Sequence, residues 1–293
     1  MVSCTVVFYT PHTQNECLCF VMGACMCTDV TPLLSLFLES SSRQFYQEVI
    51  TMLQTRRFRK PPEDQYAAIG QLYGLKPDPQ KLKHAFGLCY KKLEEETPNF
   101  GAESIGWQNW WLSIVTETFR RAECHAEEST LNAVGNHLIK HFSSSHAYEL
   151  LDGSIPLLEK INNKAIKIGT ISNFDERLDG ILLQLGVRHY FDFVINSYSA
   201  KAAKPDPKIF QQALTHAGNV SPTEALHIGD DLYRDYLGAR ACGWQSYLVS
   251  SDYQQLCEEF GVTPDEASMF TCLRELLPVI ELSTKPLNTC KEI

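Results

Sequence analysis

No lysine or arginine precedes Arg43, so neither the basic start of a secretory signal nor an arginine-rich transit peptide is expected. Unbroken apolar stretches are short as well. Val6–Leu38 is fairly apolar, but Glu16 and Asp29 interrupt it, and neither side of Asp29 supplies the ~18 consecutive residues that a membrane span needs. Positive charge is scarce overall: 26 Lys and Arg against 35 Asp and Glu give a net charge of −9. That balance, with an isoelectric point near 5.5, excludes a broadly nucleic-acid-binding surface. The eleven cysteines are odd in number and scattered, unlike the paired framework of a small secreted domain. Reduced thiols in a cytosolic or nuclear compartment are the expectation, with no membrane and no nucleic-acid partner. No internal repeat or long low-complexity tract is present.

What the chain does contain is ordinary for a globular protein: 293 residues, 44% hydrophobic and 21% charged. That length predicts one large or two modest domains. Residues 1–57 are atypical, carrying five cysteines (Cys4, Cys17, Cys19, Cys25, Cys27) without a sustained period. The Cys17-x-Cys19 and Cys25-x-Cys27 spacings are tighter than the usual zinc spacing, so buried or solvent-facing thiols are expected there. Gln44–Leu53 is compatible with a helix or a short strand. From residue 62 to 148 the spacing predicts helices over Gln65–Tyr73, Gln80–Glu96, Trp107–Arg121 and Ser129–Phe142, a bundle inserted before a sheet. Trp107, Trp110 and Trp111 are expected to pack in its core, and the i, i+4 pair His137 and His141 lacks an acidic motif that would make it a metal site. Residues 149–282 form the predicted sheet domain, and 283–293 a loose tail.

Within 149–282 short apolar runs alternate with amphipathic segments. Ala165–Ile171 stops at Ser172-Asn173, Phe191–Asn196 leads to Lys204-Pro205-Asp206-Pro207, and Ala225–Ile228 runs into Gly229-Asp230-Asp231. Leu178–Leu185 and Ile209–Ala217 have helical spacing. The pattern predicts an α/β protein with a Rossmann-like parallel-sheet core. In such sheets the reactive crevice lies at the carboxyl ends of the strands, where Ser172, Lys204 and Asp230 fall. A hydroxyl, an ammonium and the carboxylates of Asp230 and Asp235 suit a phosphoryl group and a hard cation: Ser172 donates to phosphoryl oxygens, Lys204 balances their charge, and Asp230 and Asp235 ligate Mg²⁺. The plainer readings are that Ser172 caps a helix, that Asp206-Pro207 is a turn, that Asp231 starts a helix, and that Asp235 merely favours a helix's first turn.

Thr170-Ile171-Ser172-Asn173, Lys204-Pro205-Asp206-Pro207 and Gly229-Asp230 with Asp235 resemble motifs II, III and IV of the haloacid dehalogenase superfamily. Pro61–Tyr66, Trp107–Trp111 and Ile171–Asp175 are similar to its rhythmically expressed gene 2 family. The resemblance runs from about Phe58 to Pro278. It implies a Rossmann-like core with an inserted helical cap acting as a lid, Ser172, Asn173 and Lys204 at the phosphate, and Mg²⁺ as cofactor. The implied activity is a Mg²⁺-dependent phosphatase acting on a small phosphorylated molecule. Dehalogenation is disfavoured, because displacing halide from carbon needs no metal.

One part of the family pattern is missing. The superfamily's first motif, Asp-x-Asp-x-(Thr/Val), ends the central strand, and its leading Asp forms an aspartyl-phosphate. By resemblance that strand lies about a dozen residues before Pro61, where this chain has Glu48-Val49-Ile50-Thr51-Met52-Leu53-Gln54-Thr55 and no aspartate. One substitute is Asp29, after the apolar run Cys19–Met26, with Thr31 in place of the second acid. The alternative is an N-terminal segment replaced outright, which removes the middle strand and makes the chain a catalytically impaired binding or regulatory member.

Overall fold

The computed structural model describes residues 49–52, 56–163 and 166–282, with only the backbone for 49–52, 281 and 282. Strand β1 (Val49–Met52) is followed by β2 (Arg56–Phe58). Helices α1 (Pro62–Leu72), α2 (Pro79–Glu96), α3 (Gly106–Arg121) and α4 (Glu128–His141) come next, then β3 (Tyr148–Leu150) and α5 (Ser154–Asn162). Strand β4 (Lys167–Ser172), α6 (Arg177–Gln184), β5 (Phe193–Asn196), α7 (Pro207–His216) and β6 (Ala225–Gly229) follow. A π-type turn at Leu232–Leu237, then β7 (Gln245–Val249), α8 (Tyr253–Phe260), β8 (Met269–Phe270) and α9 (Leu276–Leu282) complete the described chain.

The six-stranded sheet has the order β5-β4-β1-β6-β7-β8, and every pair in it is parallel. Buried-strand composition explains this. β4 is buried from Ile168 to Ser172 and β6 along its whole length, as expected for strands covered on both faces. The chain moves outward from β1 to β4 and β5, then crosses back to β6 on the other side of β1. The switch point is therefore at the carboxyl end of β1, between Ser172 and Gly229.

The centre of the sheet is not missing. Val49–Met52 fills it, with Val49, Ile50 and Thr51 opposite Lys167, Ile168 and Gly169 on one side and Ala225, Leu226 and His227 on the other. The expectation of an absent middle strand is corrected here: three consecutive β-branched residues suit a strand paired on both edges. Cys19–Met26 is not needed for that place. Those residues and Asp29 lie outside the described ones.

Helices α1–α4 stand apart from the sheet. Tyr66, Leu82, Val115, Phe119, Leu131, Val134 and Leu138 share one of their buried clusters, and Cys89, Phe100, Trp110 and Ile114 form another. The bundle joins the sheet through β2 and β3, a two-stranded antiparallel pair in which Phe58 faces Tyr148.

Candidate functional site

Ser172 ends β4 fully buried, and its Oγ meets no hydrogen-bond partner among the described residues. It does not cap α6, whose N-cap is Glu176. A buried hydroxyl without a partner is costly, and at the carboxyl end of a strand it suits an incoming acceptor.

Lys204 is buried too, and its Nζ donates to the Ile171 carbonyl at 2.9 Å and to Asp235 Oδ1 at 2.5 Å. An ammonium has three N–H donors, so one remains among these contacts. Asp235 also accepts from His227 Nε2 at 2.9 Å and, through Oδ2, from the Asp231 amide at 3.1 Å. Burial pushes the Asp235 carboxyl up, but the Lys204 charge and the His227 hydrogen bond outweigh it and hold the group below the ordinary carboxylate range. Burial likewise keeps the His227 imidazole below its ordinary value despite the Asp235 bond, so at neutral pH its Nε2 is the N–H donor of a neutral ring. Gly229 is required by this approach. A Cβ there would lie 2.4 Å from Asp235 Cγ.

Two assignments made from the sequence change. Asp235 is not an open cation ligand beside Asp230, because both its oxygens are engaged by Lys204, His227 and an amide. Asn173 is not a direct phosphate contact through its side chain: Nδ2 donates to the Lys204 carbonyl at 2.9 Å and Oδ1 accepts the Lys204 amide at 2.7 Å. It straps the loop after β4 to the one that carries Lys204. Asp206 caps α7 through the Lys208 amide, and Asp231 caps the π-type turn through Tyr233 and Arg234. His227, buried inside β6, was not foreseen. Its signal was a histidine in an otherwise apolar strand, three residues before Asp230.

The donor set answers for magnesium as follows. A Mg²⁺ site is octahedral and takes one or two carboxylates, with waters and substrate phosphate completing it. With Asp231 and Asp235 engaged, the loop after β6 presents Asp230, and β1 runs into Leu53-Gln54-Thr55, without a carboxylate. Among the described residues no group of three His, Cys, Asp or Glu converges on a metal position. These residues by themselves do not fit a resident Mg²⁺.

The helical bundle reaches the carboxyl edge of the sheet beside this site. Trp111 Nε1 donates to Asp175 Oδ2 at 2.8 Å and Trp107 Nε1 to Glu176 Oε2 at 2.9 Å. An apolar cavity of about 60 Å³ lies between the bundle and β2–β3, lined by Phe58, Tyr66, Trp111, Phe142, Phe174 and Arg177 among others.

This parallel sheet, its switch point and the Ser172, Lys204 and Asp230 strand ends define a Rossmann-like α/β protein with its polar crevice at the carboxyl ends of the strands. Residues 41–243 match the family model for haloacid dehalogenase-like hydrolases, and the chain belongs to that family. Among curated proteins it is similar to the rhythmically expressed gene 2 protein of Drosophila melanogaster, 36% identical over 76% of this chain and 88% of that one. It is similar also to haloacid dehalogenase-like hydrolase domain-containing protein 3 of Homo sapiens, 37% identical over 66% of this chain and 76% of the relative. Among solved structures, the magnesium-bound putative HAD-hydrolase YfnB of Bacillus subtilis shares the fold with a TM-score of 0.59 at 14% identity, covering 81% of this chain and 99% of its own. The 2-haloacid dehalogenase of Pseudomonas syringae pv. Tomato DC3000 does so with 0.56 at 18%, covering 80% and 98%.

Proposed function

We propose that this protein binds a small phosphorylated molecule at the carboxyl ends of β4 and β6 and does not turn it over through an aspartyl-phosphate. The observation that carries this reading is the central strand. Val49–Met52 occupies the position where the family's nucleophilic aspartate ends its strand, and only Leu53, Gln54 and Thr55 separate it from β2. Three residues cannot contain the five-residue Asp-x-Asp-x-(Thr/Val) loop, and none is a carboxylate. The binding elements remain: the buried Ser172 hydroxyl, the third N–H of Lys204, and Asp230 at the strand end. Asp230 would share any Mg²⁺ with the ligand's own phosphoryl oxygens, and the cation would offset their charge.

The test pairs binding with turnover. Titration calorimetry with inorganic phosphate in the presence of Mg²⁺ is expected to show binding that Lys204→Met weakens by at least tenfold, roughly the 1.5–3 kcal/mol of a charge-assisted hydrogen bond. A generic aryl phosphate with Mg²⁺ is expected to give no hydrolysis above the blank. Hydrolysis that Asp29→Asn abolishes would instead establish a phosphatase with Asp29 as its nucleophile.

A further inference from the structure

Three cations are buried near the carboxyl edge of the sheet. Lys204 pairs with Asp235 at 2.5 Å and Arg177 with Asp175 at 2.6 Å. The third is Arg56, the first residue of β2, which is only 5% exposed. Its guanidinium lies 5.2 Å from the Tyr148 ring centroid and 5.1 Å from that of Phe174. Burial does not neutralise it, because an arginine keeps its proton inside a protein. Ring contacts of this kind occupy no N–H donor, so they fix the guanidinium without consuming its capacity to bind an anion.

Sequence and contacts both place Arg56 at the rim of the crevice. It stands four residues beyond Met52, the last residue of β1, and Met52 faces Ile228, two residues before Asp230. Its guanidinium rests against Phe174, whose amide donates to the Ser172 carbonyl at 2.9 Å. Strand alternation turns Arg56 and Phe58 to the same side and leaves Arg57 exposed. A phosphoryl ligand at Ser172 brings negative charge that must be offset. A divalent cation is one means, and an arginine fork bidentate on two phosphoryl oxygens is another. The donor set favours the fork: among the described residues no three His, Cys, Asp or Glu converge on a metal position, whereas Arg56 carries a permanent charge.

We infer that Arg56 supplies the positive charge for the phosphoryl group of a ligand bound at the Ser172 and Lys204 strand ends, so that binding does not require Mg²⁺. The phosphoryl group is that of the function proposed above, on which this rests; what offsets its charge is the addition. The plainer role of Arg56 is packing, its side chain filling space against Tyr148 and Phe174. Packing alone predicts that substitution costs stability and leaves the metal dependence of binding as it was.

Titration calorimetry of the full chain with inorganic phosphate, once in EDTA and once with Mg²⁺, separates the two roles. The parent is expected to bind in EDTA within about threefold of its affinity with Mg²⁺. Arg56→Met is expected to weaken binding in EDTA by about tenfold or more, the worth of a charge-assisted hydrogen bond. Mg²⁺ shared between Asp230 and the phosphate then recovers part of that loss, so a marked metal dependence appears in this variant alone. Arg57→Gln, on the exposed side of the same strand, is expected to match the parent. Should Arg56→Met lose its thermal transition, Arg56→Lys takes its place: it keeps the charge, removes the fork and is expected to bind several-fold more weakly in EDTA. Parent binding that EDTA abolishes overturns the role of Arg56 and leaves the binding function standing. Parent-like affinity in EDTA for a folded Arg56→Met, or for Arg56→Lys where that variant carries the test, does the same. Absence of parent binding under both conditions overturns the proposed function, and the role of Arg56 with it.

Discussion

At the scale of single residues, the chemistry gathers on one carboxylate. Asp235 balances the buried Lys204 ammonium and accepts from His227 on the same oxygen, so it fixes where the cation can point. Removing its charge leaves Lys204 buried and uncompensated, and Asp235→Asn is expected to cost about 3–5 kcal/mol. Urea denaturation measures this, and a change under 1 kcal/mol would refute the ion pair. Gly229→Ala should act in the same direction without touching any charge, since its Cβ takes the space of the Asp235 side chain. The sequence disclosed the residue types here but not their division of labour. An Asp four residues after Asp231 reads as a cation ligand or as a carboxylate favoured in a helix's first turn, and neither reading names Lys204 as its partner. Only the π-type turn at Leu232–Leu237, which brings Asp235 back over Gly229, decides among them.

At the scale of elements, the short strand β1 governs the interpretation. Its backbone is paired on both sides, so a residue without an N–H in its middle breaks the ladder and cannot be moved to an edge. Ile50→Pro is expected to abolish the cooperative thermal transition seen by circular dichroism, or to lower its midpoint by more than ten degrees. An unaltered transition would mean that Val49–Met52 does not sit at the sheet's centre. The helices of the bundle and the strands from β4 onward were legible because their periods are long and regular. The four residues of β1 carry too little periodicity to choose between helix and strand; two waiting neighbours, β4 and β6, make the choice.

At the scale of the whole molecule, buried titratable groups set the response to pH. Burial keeps His227, and also His141, below the ordinary imidazole value of about 6.5. Below that pH the unfolded chain takes up protons that the folded chain refuses, so stability falls as pH falls through it, by at most about 1.4 kcal/mol per pH unit for each group. Asp235 adds a second stage. Its folded-state value is depressed, so its contribution is complete above about 3.9, the ordinary aspartate value, and is lost as pH falls further. Denaturation at pH 7.5, 6.5 and 5.5 is expected to show stability declining towards acid, with a shallower decline in His227→Gln, which keeps a donor for Asp235 but does not titrate. A decline as steep in that variant would remove His227 from the account.

The order of apolar runs and polar strand ends, read along the chain, was enough to determine the α/β architecture, the family and the residues that end the strands, because hydrophobic period and motif spacing are local quantities. Which strand fills the centre, which carboxylate is already spent on Lys204, and that Trp107 and Trp111 meet Glu176 and Asp175 across 69 and 64 residues of chain are matters that tertiary structure decided. Each depends on the distance between groups remote in sequence, and no local pattern encodes that distance.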